Sequence, residues 1–262
     1  MIEIDGVSKE FSSGERRVIA LQDIDLTVAP REFVAVLGPS GCGKSTLLNI
    51  VAGFDRPTRG AVRVGGREVA APSPERGVVF QEPALFPWLS VMDNVIFGPR
   101  IQGQPPSTYL PRAAQIIEQV GLHGFEASYP AELSGGMRQR VGIARVLIMQ
   151  SRVLLMDEPF GSLDAQTRTL MQELLLHLWE RHHQTVLFIT HDVEEALLLA
   201  DRVCVMTARP GRIKKSIEVN LARPRAIELT TTPEFNALRR EVLGLIREES
   251  QRAAAERAPL AI

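Results

Sequence analysis

The sequence predicts an α/β fold in which buried strands alternate with amphipathic helices. The run Phe33–Leu37 is continuously apolar and ends at Gly38, which is typical of a strand buried on both faces of a parallel sheet. Val153–Met156 and Val186–Ile189 are two more such runs. The segment between them has the period of a helix, with its apolar face at Met171, Leu174, Leu175 and Leu178. A strand, a crossover helix and a second strand predict a βαβ unit.

Shorter elements surround the first buried run. The first thirty or so residues alternate between apolar and polar around Gly6, Gly14 and Pro30, and this pattern predicts short, half-buried strands. Lys44–Ala52 has helical periodicity. The segment 60–69 predicts two strands joined by a turn at its paired glycines.

The middle of the chain predicts a helical insertion in the sheet domain. From Pro83 to about Tyr129 the sequence carries many prolines and then a helical segment. Its apolar positions follow the spacing i, i+3, i+4, i+7 and are Ala113, Ile116, Ile117 and Val120.

A further helix is predicted near the C-terminus. Thr232 can cap it, and Pro233 suits its first position. One face of this helix is apolar and consists of Phe235, Leu238, Val242, Leu245 and Ile246.

Composition and net charge argue against several classes of protein, although they leave room for a local basic patch. The chain has 262 residues, 45% of them hydrophobic, and a formal net charge of −1, so no global positive field attracts nucleic acid. Cys42 and Cys204 lack CxxC spacing, which argues against a disulfide framework or a zinc site and fits a reducing cytosol. No stretch approaches the ~18 to 20 apolar residues that span a bilayer, and the acidic N-terminus does not resemble a signal peptide.

A phosphate-binding loop is predicted after the first buried strand, where Gly38–Ser45 matches the pattern G-x-x-x-x-G-K-[ST]. Glycines let backbone N–H groups turn toward phosphate oxygens, and the following helix points its positive end at the same place. Lys44 can reach the β- and γ-phosphates of a nucleotide, and Ser45 can bind Mg²⁺. A glycine turn with an incidental lysine is the alternative, but the position between strand and helix favours phosphate binding. The predicted nucleotide-binding residues of this loop are Gly38, Pro39, Ser40, Gly41, Cys42, Gly43, Lys44, Ser45 and Thr46.

Two acids end the buried strand that begins at Val153. Ligands of open α/β sheets lie outside the carboxyl ends of the strands, so Asp157 and Glu158 are expected to project toward the phosphate loop. Asp157 would hold Mg²⁺, directly or through water, and Glu158 would orient and deprotonate the attacking water. Alone, an Asp-Glu pair after a strand is more often a helix-start signal. Together with the phosphate loop, it favours catalysis.

Five further segments resemble motifs of the ABC transporter ATP-binding subunits. Leu133–Arg140 is similar to the signature motif and precedes the Asp-Glu strand, as in that family. Gln81 resembles the Q-loop glutamine, Ser162–Asp164 the D-loop, and His191 the switch histidine. Phe11 falls where the family places an aromatic residue that stacks on adenine.

The resemblance covers about residues 2–220 and implies the fold in more detail. It implies a P-loop NTPase (RecA-like) core with an antiparallel β subdomain and a helical subdomain insertion. The nucleotide-binding domain would span 1–220, with its helical subdomain at about 84–150. The tail 221–262 would then carry one amphipathic helix.

The signature motif implies a dimer. Ser134 can cap a helix whose glycines Gly135 and Gly136 expose backbone N–H groups, and this gives a second anion-binding helix end in the chain. A merely capped helix is the alternative. By resemblance, each ATP lies between the phosphate loop of one subunit and Ser134–Gly136 of the other, so two nucleotide-binding subunits, identical in the simplest case, would pair head to tail. Met137 departs from the family's usual Gln and cannot donate the hydrogen bonds of an amide.

The resemblance also implies roles for the single-residue motifs. Gln81 would contact the metal or the water. His191 would contact the γ-phosphate or hold the water in register, although a lone histidine after a strand is usually a surface residue. Asp164 would lie at the nucleotide, and Phe11 would stack on adenine or else fill the core.

Membrane permease subunits are the implied partners, with a periplasmic or surface solute-binding protein acting indirectly. The chain would lie on the cytoplasmic face of the inner membrane. Phe54 and Trp88 would line a groove for a permease helix, or Phe86 and Trp88 would only pack the insertion.

Finer resemblance indicates the importers of nitrate, sulfonates and taurine. The segments that carry it are Pro74–Glu82, Leu85–Trp88, Leu174–Trp179, Ala222–Arg225 and Pro233–Phe235. Importers of a thiamine pyrimidine precursor, a soluble ABC ATPase without a transport role, and a nucleotide sensor that does not hydrolyse ATP remain alternatives.

Overall fold

A computed structural model describes residues 1–14 and 16–257. The chain forms two compact units. The first unit consists of residues 1–72 together with the chain from residue 185 onward, and the second unit of residues 73–184. Both units combine parallel strands with helices, which confirms the predicted α/β class.

The elements follow one another in the order that the sequence indicates. In chain order the strands are β1 (Ile2–Ser13), β2 (Arg16–Val28), β3 (Phe33–Leu37), β4 (Arg59–Val64), β5 (Arg67–Glu68), β6 (Arg76–Val79), β7 (Val153–Asp157), β8 (Thr185–Ile189), β9 (Arg202–Met206) and β10 (Ile213–Glu218). The α-helices are α1 (Lys44–Ala52), α2 (Val91–Ile101), α3 (Pro106–Gln119), α4 (Gly135–Leu147), α5 (Ala165–His182), α6 (Val193–Leu199) and α7 (Pro233–Arg257). Short 3₁₀ helices lie at Pro130–Glu132 and Ile227–Thr231. Among the described residues, no helix is both long and apolar enough to cross a membrane.

An antiparallel sheet in the order β2-β1-β4-β5 occupies part of the first unit. The prediction of short strands at the N-terminus was wrong, because β1 and β2 have 12 and 13 residues. Gly6 does not end a strand. It lies at a shift of the pairing register between Ile4 and Val7, with φ 55°, so the chain bulges there and β1 continues. Gly14 does lie in the turn between the two strands.

The second sheet of the first unit positions the phosphate loop. β3 pairs in parallel with β8 on one side and with β9 on the other, and β10 adds antiparallel to β9. Every residue of β3 and β8 is buried, as the continuous apolar runs predict. The carboxyl end of β3 leads directly into residues 38–43 and then into α1.

Helix α7 begins as its sequence predicts. The Oγ1 atom of Thr232 accepts a hydrogen bond from the backbone N–H of Phe235 at 3.3 Å, and Pro233 is the first helical residue. Phe235 and Val242 are fully buried on the predicted face. The other three predicted face residues are half-buried, so α7 is attached along one side.

The second unit contains the parallel pair β6 and β7 and four helices. Ala113, Ile116, Ile117 and Val120 are buried, which confirms the predicted apolar face of α3. In α5, Met171, Leu175 and Leu178 are buried and Leu174 is half-buried. The domain boundaries at 84–150 and 220 remain predictions.

Candidate functional site

The phosphate loop has the backbone that its glycines predict. Gly41 and Gly43 have φ values of 76° and 104°, in the left-handed region that side chains disfavour. A β carbon at Gly43 would also lie 2.7 Å from Leu21 Cδ2 and 2.9 Å from the Ala20 carbonyl oxygen, so only glycine fits there. Gly43 is the N-cap of α1, and its side-chain-free backbone opens the helix N-terminus to an anion.

Lys44 lies over the loop that it follows. Its Nζ donates hydrogen bonds to the carbonyl oxygens of Gly38 at 2.9 Å and Pro39 at 3.2 Å, and only 7% of the residue is exposed. A largely buried ammonium that is held by neutral carbonyls would gain from a stronger, anionic acceptor. The loop therefore fits a phosphate group by the chemistry of its donors.

The remaining loop residues differ in exposure. Ser40 and Ser45 are exposed, so their hydroxyls are accessible to a nucleotide and a metal ion, and Pro39 and Thr46 are half-buried. Cys42 is 1% exposed. Burial raises the pKa of its thiol, and the positive charge of Lys44 opposes that shift in part.

Phe11 lies on the surface of the first unit, which rules out its alternative as core filler. It is 45% exposed on β1 and pairs with Val18 of β2. The Nζ atom of Lys9 lies 4.9 Å from the ring centroid and is held by Asp55 at 2.6 Å. An exposed, supported ring can stack on a planar base.

His191 connects β8 and α6 of the first unit and is exposed. Its neighbours are firmly placed. The backbone N–H of Asp192 donates to Thr190 Oγ1 at 3.0 Å, and the Asp192 carboxylate caps α6 by accepting from the amides of Glu194 and Glu195. The imidazole therefore projects from a fixed strand-to-helix junction.

In the second unit, the two predicted acids end β7. Asp157 is its last residue, and both acids are half-buried. Glu158 has φ 44°, a left-handed conformation that is uncommon for a residue with a side chain. Its carbonyl accepts a hydrogen bond from Gly161 N–H at 3.1 Å, which closes a turn directly after the strand.

Gln81 lies beside that turn. It follows β6 and is exposed, and a β carbon added at Gly161 would lie 3.0 Å from its Nε2. The amide of Gln81 is therefore next to the turn that starts at Glu158. Carboxylate and amide oxygens are ligands that Mg²⁺ accepts, so Gln81 and Asp157 of this unit fit that ion by their chemistry, and the hydroxyl of Ser45 in the first unit is a ligand of the same kind.

The signature segment forms the predicted capped helix. Ser134 is the N-cap of α4, and its Oγ accepts from the Met137 amide at 3.3 Å. Ser134 and Gly135 are exposed. Gly136 is buried, and a β carbon there would collide with Thr167 at the start of α5. The exposed end of α4 is thus open to an anion.

Asp164 is the N-cap of α5, where its Oδ1 accepts from Thr167 N–H at 3.0 Å. Hydrogen bonds from Thr167 hold the pKa of this exposed carboxyl below its usual value. Because Thr167 also packs on Gly136, the D-loop and the signature segment lie next to each other in the second unit.

Two polar residues of α4 that the sequence did not single out bind the segment after Gln81. Gln139 donates to the Phe80 carbonyl at 3.2 Å. Arg145 donates to the carbonyls of Pro83 and Ala84, each at 2.9 Å, and lies over the Phe86 ring. Polar positions on the buried face of an otherwise apolar helix are the signal that could have identified them.

The segment 222–225, which carried part of the finer resemblance, has a structural role. The guanidinium of Arg225 donates to the carbonyls of Leu197, Leu198 and Ala200 at the end of α6. Burial lowers the pKa of Arg225 to about 10. The arginine satisfies carbonyls that a helix end leaves without a partner.

The loop, the capped signature helix and the α/β fold define a P-loop nucleotide-binding protein. A family model described as ABC transporter matches residues 21–161, and the chain belongs to this family. The predicted resemblance and fold class are thereby confirmed.

Named relatives cover nearly the whole chain. The taurine import ATP-binding protein of Jannaschia sp. is 50% identical, with 87% of both chains covered. The aliphatic sulfonates import ATP-binding protein of Bacillus cereus is 46% identical and covers 92% of this chain and 94% of its own. The nitrate import ATP-binding protein of Synechocystis sp. is 44% identical, with 94% and 95% covered.

A solved structure is similar as well. It is a dimeric ATP-binding cassette in a post-hydrolysis state bound to ADP and Pi, with a TM-score of 0.74 and 30% sequence identity. The alignment covers 85% of this chain and all of that chain.

Proposed function

We propose that this chain is the ATP-hydrolysing subunit of an importer and drives a small anionic solute of the nitrate, sulfonate or taurine class through a separate membrane permease. The observation that carries the proposal is the phosphate loop, with a nearly buried Lys44 held over a glycine cradle at a helix N-terminus. The importer relatives support the transport role.

The loop residues bind the triphosphate. Backbone N–H groups of the loop after Pro39 surround phosphate oxygens, and Lys44 exchanges its carbonyl partners for the β- and γ-phosphates. Phe11 stacks on the adenine. Asp164 and the signature residues complete the nucleotide contacts.

Ser45, Asp157 and Gln81 hold Mg²⁺, which neutralises phosphate charge when it is bound. Glu158, which directly follows β7, accepts a proton from the attacking water. His191 holds the water and the γ-phosphate in register. Most of the rate acceleration then comes from positioning and charge stabilisation.

The exposed N-terminus of α4 serves the nucleotide of a second copy of the chain. Ser134, Gly135 and Gly136 present a hydroxyl and a helix end that one copy alone need not use. The dimeric cassette with ADP and Pi supports this pairing. Because Met137 replaces the usual glutamine, backbone groups supply the contacts of this segment.

Exposed aromatic side chains are the proposed permease contacts. Trp88 is 70% exposed and Phe54 49% exposed, whereas Phe86 packs on Phe97 with ring centroids 4.3 Å apart. Phe86 therefore supports the insertion, and Trp88 and Phe54 supply the exposed aromatic surface for the permease. The chain would work at the cytoplasmic face of the inner membrane, and a solute-binding protein would act through the permease.

The cargo is tested in proteoliposomes that contain the permease and this chain. Solute-binding protein loaded with taurine, an alkanesulfonate or nitrate should raise ATP hydrolysis, and a thiamine pyrimidine precursor should not. Stimulation by the precursor alone would contradict the proposed cargo class. If none of the loaded binding proteins changes the rate of ATP hydrolysis, the proposed transport role is contradicted.

A further inference from the structure

The turn between β9 and β10, residues 207–212, touches the phosphate loop on one side and α7 on the other. All three belong to the first unit. None of the motifs that define the family includes this turn or the helix. Their contacts indicate how the tail of the chain can act on nucleotide binding.

Arg209 binds the phosphate loop directly. Its Nη2 and Nε donate to the carbonyl oxygen of Gly41 at 3.0 and 3.2 Å. Gly211 in the same turn packs against the loop so closely that a β carbon there would collide with the Cys42 carbonyl. The turn therefore reaches two consecutive loop residues.

The peptide bond between Gly41 and Cys42 explains why this contact matters for binding. A trans peptide is planar, and its C=O and N–H point in opposite directions. When Arg209 fixes the Gly41 carbonyl, it also fixes the Cys42 N–H, which points into the loop and donates to the Pro39 carbonyl at 3.3 Å. That amide is one of the donors that phosphate would use.

The turn itself is firmly held. Thr207 Oγ1 donates to the Pro210 carbonyl at 2.9 Å and accepts from Arg212 N–H at 3.0 Å. Gly211 exchanges backbone hydrogen bonds with β2, donating to Ala20 and accepting from Gln22, each at 2.9 Å. Arg209 thus projects from a rigid base.

Helix α7 contributes a buried carboxylate to the turn. Glu249 is 2% exposed, and its Oε2 accepts from the Ala208 N–H at 3.0 Å. Its Oε1 accepts from Lys214 Nζ at 2.7 Å and lies 3.5 Å from Arg252 Nη1. The residue next to Arg209 is therefore attached to α7 by a charge-assisted hydrogen bond.

We propose that Arg209 is a positioning residue for the phosphate loop, and that α7 supports it through Glu249. The inference rests on the proposed ATP binding by this loop. Arg209 keeps the Cys42 amide directed inward before the nucleotide arrives, so less ordering remains to be done on binding. Glu249 keeps the turn, and with it Arg209, at the right distance.

The test compares ATP affinity and steady-state kinetics in the purified full-length chain. Arg209→Ala should raise both the Kd for MgATP and KM roughly threefold to tenfold, because the two hydrogen bonds that it removes are made to the loop and affect the nucleotide only indirectly. The kcat should stay near the wild-type value, because the lost interaction serves binding rather than the transition state. Arg209→Lys should recover part of the affinity, since an ammonium can still donate to the carbonyl.

The variant Glu249→Ala tests the contribution of helix α7. It should raise the Kd for MgATP, but by less than Arg209→Ala does. The double variant with Arg209→Ala should bind no more weakly than Arg209→Ala alone, since both changes act on one series of contacts. Glu249→Gln keeps an acceptor for the Ala208 amide and should bind nearly as the wild type does. Glu241→Gln, which removes an exposed ion pair between α7 and Lys215, is the matched control.

Unchanged ATP affinity in Arg209→Ala would overturn the inference, as would a fall in thermal stability without a change in affinity. If the losses of ATP affinity from Arg209→Ala and Glu249→Ala add up in the double variant, α7 does not act through Arg209. If Glu249→Ala does not fold, Glu249→Asp, whose shorter side chain withdraws the carboxylate from the Ala208 amide, takes its place in the same comparison. Should the wild type itself fail to bind ATP, or Lys44→Ala bind as well as the wild type, the proposed function has failed instead.

Discussion

Glu158 has a proposed catalytic role and an energetically unfavourable backbone conformation. Its φ of 44° lies where residues with a side chain cost about 1 to 3 kcal/mol. The hydrogen bond from Gly161 N–H to its carbonyl maintains this conformation. This conformation begins a sharp turn directly after a buried strand, and the amide of Gln81 lies next to that turn at Gly161.

Replacing Glu158 by Gln should therefore separate binding from hydrolysis. The amide keeps the shape of the side chain but cannot accept the proton, so kcat should fall by about 10²- to 10⁴-fold. ATP should still bind, and ATP-bound dimers should accumulate in size-exclusion chromatography. Glu118→Gln, on the exposed side of α3, is the control. Turnover at the wild-type rate in Glu158→Gln would refute the role of this residue.

Much of the site could be predicted at the level of single residues because its motifs are local. Lys44, Ser45 and the glycines lie within eight consecutive residues, and the N-caps Ser134 and Asp164 stand directly before their helices. The contact between Arg209 and Gly41 joins residues 168 positions apart. No sequence pattern marks such a pair, since only folding brings the turn to the loop.

At the level of elements, helix α7 also combines features that local sequence signals predict with a contact that only folding creates. Its cap, first residue and apolar face could be predicted, because Thr232, Pro233 and the spacing of Phe235 and Val242 are local signals. The burial of Glu249 could not, because a glutamate in a charged segment is ordinarily solvated. The length of β1 was also missed, since Gly6 is a bulge in one context and a turn in another.

The attachment of α7 should depend on pH. Burial opposes ionisation of Glu249, but hydrogen bonds from Lys214 and the Ala208 amide outweigh it and lower the pKa of the carboxyl below its usual 4.5. Glu248 and Arg252 also lie near these groups. Because the folded-state pKa is the lower one, this stabilisation is present above pH 4.5 and is lost as the pH falls through the folded-state value.

Chemical denaturation between pH 7 and pH 3 measures this effect. The difference in unfolding free energy between the wild type and Glu249→Gln should shrink as the pH falls below 4.5. Glu241→Gln, in an exposed pair, should show a much smaller change. If the difference in unfolding free energy between the wild type and Glu249→Gln stays constant over this pH range, the ion pair of Glu249 with Lys214 does not stabilise the fold.

At the scale of the whole molecule, two copies are expected to share each nucleotide. The design that tests this mixes one chain carrying Lys44→Ala with another carrying Ser134→Arg. If the signature serves the partner's ATP, both defects fall in one site of the mixed dimer and the other site stays intact. If the signature serves its own chain, both sites are defective.

Mixed dimers should therefore keep one functional ATP site, although each variant alone as a homodimer has none. Each variant carries a different affinity tag, so that mixed dimers can be purified. The amount of radiolabelled ATP trapped per mixed dimer then gives the number of functional sites. A dimer that carries both substitutions on one chain and none on the other should trap no ATP, which is the matched control. Equal trapping in the two designs would contradict pairing in trans.

Attachment to the permease should depend on exposed aromatic residues outside the nucleotide site. Trp88→Glu or Phe54→Glu should weaken binding to the permease roughly thirtyfold, the effect of losing about 2 kcal/mol at an aromatic contact. ATP affinity should not change, because neither residue belongs to the phosphate loop. Ile101→Glu, at another exposed apolar position, is the control. If the Trp88→Glu and Phe54→Glu variants bind detergent-solubilised permease as tightly as the wild type does, these residues do not contact the permease.

Equilibrium binding of ATP to the purified chain in the presence of Mg²⁺ tests the central claim most directly. We predict saturable binding to the wild type, and binding weakened at least about a hundredfold in Lys44→Ala, because a buried ammonium paired with phosphate contributes several kcal/mol. AMP, which lacks the β- and γ-phosphates, should bind both proteins weakly and equally. A wild-type chain that shows no affinity for ATP, or a Lys44→Ala chain that binds it equally well, would contradict the account.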